Sequence, residues 1–440
     1  MKVREQMEKA NNISEIINTC GYYPLNTEER IKFYVDTSAA RGVDVLSELK
    51  NSFFLLPNNC QQVLFLGHIG SGKSTLLYQL EQSLYDKYKI IRFSVQEFLD
   101  IKEMTFADLL CAMYQVILDS CDDLTDEEND SLTQVYRTWY DNIVKETEYS
   151  EDASIQLTAE AGLSVKTVFL NLLSKFNSSL KYGTVDKTTI KSHIGRDIDD
   201  YIEMLNELIS ISDSHSSKPL LLMFEDLEKI PKDKAEDIFL TKAYYFRKIK
   251  ANMLLTTPIY LKYYSEFRSI ISQNYSSFVR CPIIAVIEPN TNLPSRDGVE
   301  LLKTLIWKRV SKELIEEAAL EDAIMFSGGV IRDLLWIICE AAKRCMNNKS
   351  EVIEQKDIKH GFEKLQEIFG DGLRGDKIEK IKNVYANPYS LIQDEEELKL
   401  MRSEIIIEYN CKQWRGIHPA VEEHLIQLGV LDRKTKFKKS

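Results

Sequence analysis

Gly67-His68-Ile69-Gly70-Ser71-Gly72-Lys73-Ser74-Thr75 is the stretch that decides the fold. It fits the phosphate-binding pattern G-x-x-x-x-G-K-[ST] at every fixed position. Val63, Leu64, Phe65 and Leu66 precede it, and Leu76, Leu77 and Leu80 follow at helical spacing. The motif therefore lies between a buried strand and a helix start. The glycines let the backbone curl and bring N–H groups onto phosphate oxygens. The helix start adds partial positive charge. Lys73 reaches the β- and γ-phosphates, and the Ser74 hydroxyl is placed for Mg²⁺. The expected nucleotide-binding set is Gly67, Gly70, Ser71, Gly72, Lys73, Ser74 and Thr75. His68 reads as a variable position of the loop.

Outward from the loop, short continuous apolar runs predict further strands at Lys89–Val95, Leu220–Phe224, Met253–Thr257 and Pro282–Ile287. Runs of that kind suit strands buried on both faces of a parallel sheet. Five strands separated by helices make a doubly wound α/β core. Residues 119–215 carry helical periodicity, as in Val165, Phe169, Leu172, Leu173, Phe176 and again Ile198, Tyr201, Ile202, Leu205, Leu208. They read as a helical insertion. The expected division is a helical lead over 1–50, the core with its insertion over 51–292, a helical lid over 293–375 and a C-terminal unit over 376–440.

The strand Leu220–Phe224 ends in Glu225 and Asp226. One carboxylate beside a phosphate loop can hold Mg²⁺ and its neighbour can polarise an attacking water. Glu225 takes the metal side, with Ser74, and Asp226 the base. An alternative register gives the metal to Asp226 and the base to Glu228, but a turn past the strand end is expected to aim Glu228 elsewhere. Thr256 and Thr257 end the next strand, where a hydroxyl either contacts the γ-phosphate or serves the strand-end turn. Arg332 opens the helix after Ser327-Gly328-Gly329. It either projects toward bound phosphate or lies on the surface of a first turn.

The bulk numbers exclude other classes. A chain of 440 residues with 44% hydrophobic and 28% charged residues is globular and multidomain. No apolar run is long enough to span a bilayer, and Met1–Asn12 is too polar for a secretory signal. The eight cysteines include no Cys-x-x-Cys pair, which predicts buried thiols in a reducing cytoplasm. The net charge of −12 argues against broad nucleic-acid affinity, although Arg433–Lys439 forms a short basic tail. No second catalytic centre is legible: there is no His-Glu-x-x-His, nucleophile elbow or Cys-His constellation.

Taken in order, these signals resemble an AAA+ ATPase of the origin-recognition and STAND-like branch. Three strings strengthen the resemblance: Tyr34-Val35-Asp36-Thr37-Ser38-Ala39-Ala40-Arg41-Gly42 before the loop, Glu225-Asp226-Leu227-Glu228-Lys229, and Tyr409 to His418-Pro419 with Trp414 between. The resemblance implies a central phosphate-loop strand beside the Thr256 strand, and sensor roles for Thr256 or Thr257 and for Arg332. It also implies a winged-helix-like C-terminal unit. It implies ATP and Mg²⁺ as cofactors and a switch that assembles with itself or an effector protein, as in bacterial anti-phage defence. A DNA-binding initiator or loader is the alternative, and a non-hydrolysing nucleotide scaffold is a third.

Overall fold

The computed structural model describes residues 8–21, 29, 32–54, 60–121, 124–135, 165–166, 198–289, 293–370, 373, 375–392, 394–409 and 414–433. Phe169, Leu172, Leu173, Phe176 and the tail from Lys434 onward lie outside the described residues. The described core is a five-stranded sheet: β1 (Gln62–Gly67), β2 (Lys89–Ser94), β3 (Leu220–Glu225), β4 (Asn252–Thr257) and β5 (Ser277–Cys281). The order is β2-β3-β4-β1-β5, and every pairing is parallel. The phosphate-loop strand thus lies beside the Thr256 strand, with β4 rather than β1 at the middle of the sheet.

Side chains alternate across the strands and serve two cores. Val63, Phe65, Leu221, Met223 and Leu254 pack under the helices Val45–Phe54 and Lys73–Leu84. Leu64, Leu66, Leu222, Phe224 and Leu255 face the helices Phe106–Asp119 and Ile198–Ser214. Covering both faces is what makes β1, β3 and β4 buried along their whole length. This is the arrangement of a P-loop NTPase core. Because all five strands run the same way, Gly67, Glu225 and Thr257 end at one edge, where α/β sheets bind ligands.

The fifth strand differs from expectation. The sheet takes Ser277–Cys281, and the more apolar run from Pro282 to Ile287 stays outside it. Pro282 has no N–H to offer a ladder. The run instead bridges two other units: Ile283 and Ala285 pack with Val330, Ile407, Tyr409 and Trp414, while Ile284 and Val286 join the lid core. Ile283 also pairs with Tyr409 in an isolated parallel bridge.

The lid is built from helices Arg296–Arg309, Glu317–Phe326, Ile331–Asn347 and Gln355–Gly370. Gly329 turns into the third of these at φ 84°, and a Cβ there would lie 1.8 Å from the Ile284 carbonyl oxygen. Only glycine permits that approach. The C-terminal unit adds an antiparallel hairpin, β6 (Ile406–Tyr409) with β7 (Trp414–Ile417), to helices Gly375–Ala386, Glu395–Arg402 and Pro419–Gln427. Three helices and a two-stranded wing make it winged-helix-like. The sequence signalled only the first strand, since Gly416 interrupts the second. Among the described residues no helix is long and apolar enough to cross a membrane.

Candidate active site

The phosphate loop leaves β1 and enters its helix at Lys73, with Gly70 at φ 77° and Gly72 at φ 94°. Both are left-handed conformations that side chains disfavour. A buried arginine backs the curl. Arg41 donates from Nη2 to the Ser71 carbonyl at 2.5 Å, from Nε to Thr37 Oγ1 at 2.8 Å, and from Nη1 to the Pro282 carbonyl. It is 1% exposed, so its contacts are made dry and rigidly. Arg41 lies in the Tyr34–Gly42 string, but the string gave it no role. A charged residue on a four-residue helix offers no signal for burial.

Lys73 donates to the Gly67 and His68 carbonyls at 3.2 and 2.7 Å and pairs with Glu228 Oε1 at 3.0 Å. Lys73 and Glu228 are 3% and 8% exposed on their side chains. The expectation that Glu228 points elsewhere is therefore corrected. Asp226 adopts φ 71°, and a single 3₁₀ turn, Leu227–Lys229, follows it. That left-handed step swings Glu228 back to the loop. Its second oxygen, Oε2, is buried and has no hydrogen-bond partner among the described residues.

The other two carboxylates are engaged. Glu225 pairs with Arg92, whose Nε also reaches Glu81 Oε2 at 2.6 Å. Asp226 pairs with Lys229 through Oδ1 at 2.6 Å and accepts the Ser94 hydroxyl at Oδ2. Ser94 stands opposite Glu225 in the β2–β3 register. A lone arginine inside the apolar run of β2 was the available signal for Arg92, since a charge there needs a partner.

These groups enclose a cavity of about 640 Å³. Of the residues singled out from sequence, Gly70, Gly72, Lys73, Ser74, Thr75, Glu225, Asp226 and Arg332 line it. Gly67, Ser71, Thr256 and Thr257 do not line it. Thr256 Oγ1 accepts the Leu227 N–H at 3.1 Å, which holds the turn that places Glu228. Thr257 donates to the Leu255 carbonyl at 2.9 Å within its own strand. Ser71 meets Arg41 through its carbonyl.

Among the described residues no group of three His, Cys, Asp or Glu side chains forms a metal cluster. Mg²⁺ in phosphate sites takes one or two protein oxygens and completes its shell with water and phosphate. Ser74 and Glu225, two hard oxygen donors that line the same cavity, suit that donor set.

His68 is not a free position of the loop. It is 4% exposed, and its Nε2 accepts the Glu408 N–H of β6 at 2.9 Å. Burial, reinforced by the charges of Lys73 and Lys262, drives its pKa down to about 3, so the ring is neutral. Arg332 stands across from Gly70, where an added Cβ would lie 2.9 Å from the arginine's own Cβ. Its Nη2 donates to Glu404 Oε2 at 2.6 Å, and Asp333 beside it receives His418 Nε2 at 3.1 Å. Loop and lid are thus both joined to the C-terminal unit.

No protein-family model matches the chain, and no curated protein sequence matches it. Solved structures are similar at low levels. Cdc6p from Pyrobaculum aerophilum shares 13% identity over 91% of this chain and 97% of that one, with a TM-score of 0.38. The Aeropyrum pernix ORC1 protein, solved in complex with DNA, gives 11%, 92%, 96% and 0.41. The Thermotoga maritima RuvB Holliday junction branch migration motor gives 11%, 87%, 94% and 0.36. Likenesses this distant carry no inference for this chain.

Proposed function

We propose that this protein binds and hydrolyses ATP as a molecular switch of the AAA+ kind, with the C-terminal unit reporting the nucleotide state. The observation that carries the proposal is one cavity of about 640 Å³ walled by Lys73, Ser74, Glu225, Asp226, Glu228 and the lid arginine Arg332. In this reading the N–H groups of residues 70–75 hold the β-phosphate and Lys73 exchanges Glu228 for phosphate oxygens. Ser74 and Glu225 hold Mg²⁺, which when bound neutralises charge shared by the β- and γ-phosphates. A carboxylate takes the proton of the water that attacks the γ-phosphorus as the bond to the β–γ bridging oxygen breaks. Assembly with itself or with an effector protein, as in bacterial anti-phage defence, is the output such a switch would drive.

Asp226 is the first assignment for the base. A second assignment is favoured by a specific observation: both Asp226 oxygens are engaged, whereas Glu228 Oε2 is buried without a hydrogen-bond partner among the described residues. Single-turnover phosphate release from Asp226→Asn and Glu228→Gln decides between them. Loss of a general base lowers the rate by about 10²–10⁴-fold, and only one of the two variants should show it with ATP still bound. Equal rates in both variants and the parent protein would overturn hydrolysis at this site.

A further inference from the structure

We propose that Glu404 makes the site distinguish a nucleoside triphosphate from a diphosphate, by holding Arg332 until a third phosphate takes it. The inference rests on the reading of the cavity as an ATP site. Arg332 lines two cavities. One is the phosphate cavity; the other, of about 480 Å³, is walled by Trp336, Phe369, Ser403 and Glu404. Its guanidinium is drawn to the second by Glu404 Oε2 at 2.6 Å.

Glu404 is built to be a yielding partner. It is 7% exposed, stands at φ 60° without being glycine, and leaves Oε1 buried with no hydrogen-bond partner among the described residues. Such a backbone persists only while its surroundings hold it. A terminal phosphate offers the same guanidinium more acceptor oxygens and more charge than this carboxylate does. A diphosphate ends one phosphate short and leaves the pair intact.

Moving Arg332 strands a buried carboxylate, and an uncompensated buried charge is strongly unfavourable. The segment that must respond is the lead into β6. Two residues after Glu404 the strand begins, and it carries the Glu408 N–H that His68 accepts. Asp333, which Arg332 Nε also meets at 3.3 Å, still has His418 at 3.1 Å on its other oxygen when the arginine moves, so the lid keeps its own attachment to the C-terminal unit. Release is confined to residues 404–409, which contact both the loop and the lid.

The test combines ATP and ADP affinities with hydrogen exchange at residues 404–409, in the full chain with Mg²⁺. ATP should speed exchange there and ADP should not. Glu404→Gln should raise ATP affinity about tenfold, leave ADP affinity unchanged and exchange fast without nucleotide. Arg332→Gln should also exchange fast, but bind ATP no better than ADP. The opposite effects on ATP affinity separate the proposal from misfolding, since a misfolded variant loses both nucleotides. If the parent protein binds no ATP, the reading of the cavity fails and the inference with it. If ATP binds but Glu404→Gln keeps the parent's ATP-to-ADP ratio, the role of Glu404 alone is overturned.

Discussion

Lys73 and Glu408 are both buried charges, set on either side of His68, and their surroundings differ. Lys73 faces Glu228 at 3.0 Å and also lines a cavity of about 640 Å³. Glu408 is 1% exposed and is met by Lys262, Tyr263 and the more distant Arg280 at 3.8 Å. The first pair has room to exchange its partner for an anion. The second is closed on itself and works as a fixed joint between the core and the C-terminal unit. The contrast shows why burial and pairing alone do not mark a site: the open cavity beside the pair does.

Four experiments press on this contrast. Glu408→Ala has the largest expected effect, because it strands Lys262, whose side chain is 8% exposed. Breaking a buried pair costs about 3–5 kcal/mol, to be seen as a lowered melting temperature in calorimetry. ATP affinity that falls as steeply as stability would show that the joint is part of the site. Next comes Lys73→Ala. It should weaken ATP about 100-fold and stop turnover while the fold survives, measured by nucleotide titration beside circular dichroism. Unchanged affinity in a folded variant would remove Lys73 from the phosphate role.

Thr256→Val is expected to act at intermediate strength. It removes the acceptor of the Leu227 N–H, at a cost of about 1–3 kcal/mol. Because that bond holds the Glu228 turn, turnover should fall with ATP affinity nearly unchanged. The smallest effect at neutral pH belongs to His68→Gln, whose amide oxygen can still accept from Glu408. The folded pKa of His68 lies near 3, far below the unfolded value of 6.5. The unfolded state therefore binds the extra proton first. Stability is intact above pH 6.5 and is lost as pH falls toward 3, by roughly 1.4 kcal/mol per pH unit. His68→Gln should lack that part of the acid limb in urea unfolding. An identical limb in both proteins would place the titration elsewhere.

Much of the fold was legible because its strands are short apolar runs with helices between them. Leu220–Glu225 and Asn252–Thr257 lie within one residue of expectation, since full burial leaves a continuous apolar signature. The edge strand misled for the opposite reason. Ser277–Cys281 mixes exposed Phe278 with buried Val279, while the stronger run beside it is buried by the lid and wing. In the site, the loop's run from strand into helix was legible, with Gly70 and Gly72 left-handed. Arg41, Arg92, His68 and Glu404 were not, because a charged or polar side chain shows neither its burial nor its partner until distant segments meet. Glu228 was visible but misdirected, since its aim depends on one left-handed residue.

By itself the sequence determined a parallel α/β sheet, a curled phosphate loop with its ammonium, and acids at the end of a second buried strand. These follow from local backbone freedom and from the periodicity of burial, which each segment carries alone. Tertiary structure decided which acid faces Lys73, which arginine braces the loop, and that Arg332 and His68 are both tied to the C-terminal unit. Those choices are pairings between residues up to 340 positions apart. Charge pairing is set by where the folded chain excludes water, and no single segment determines that.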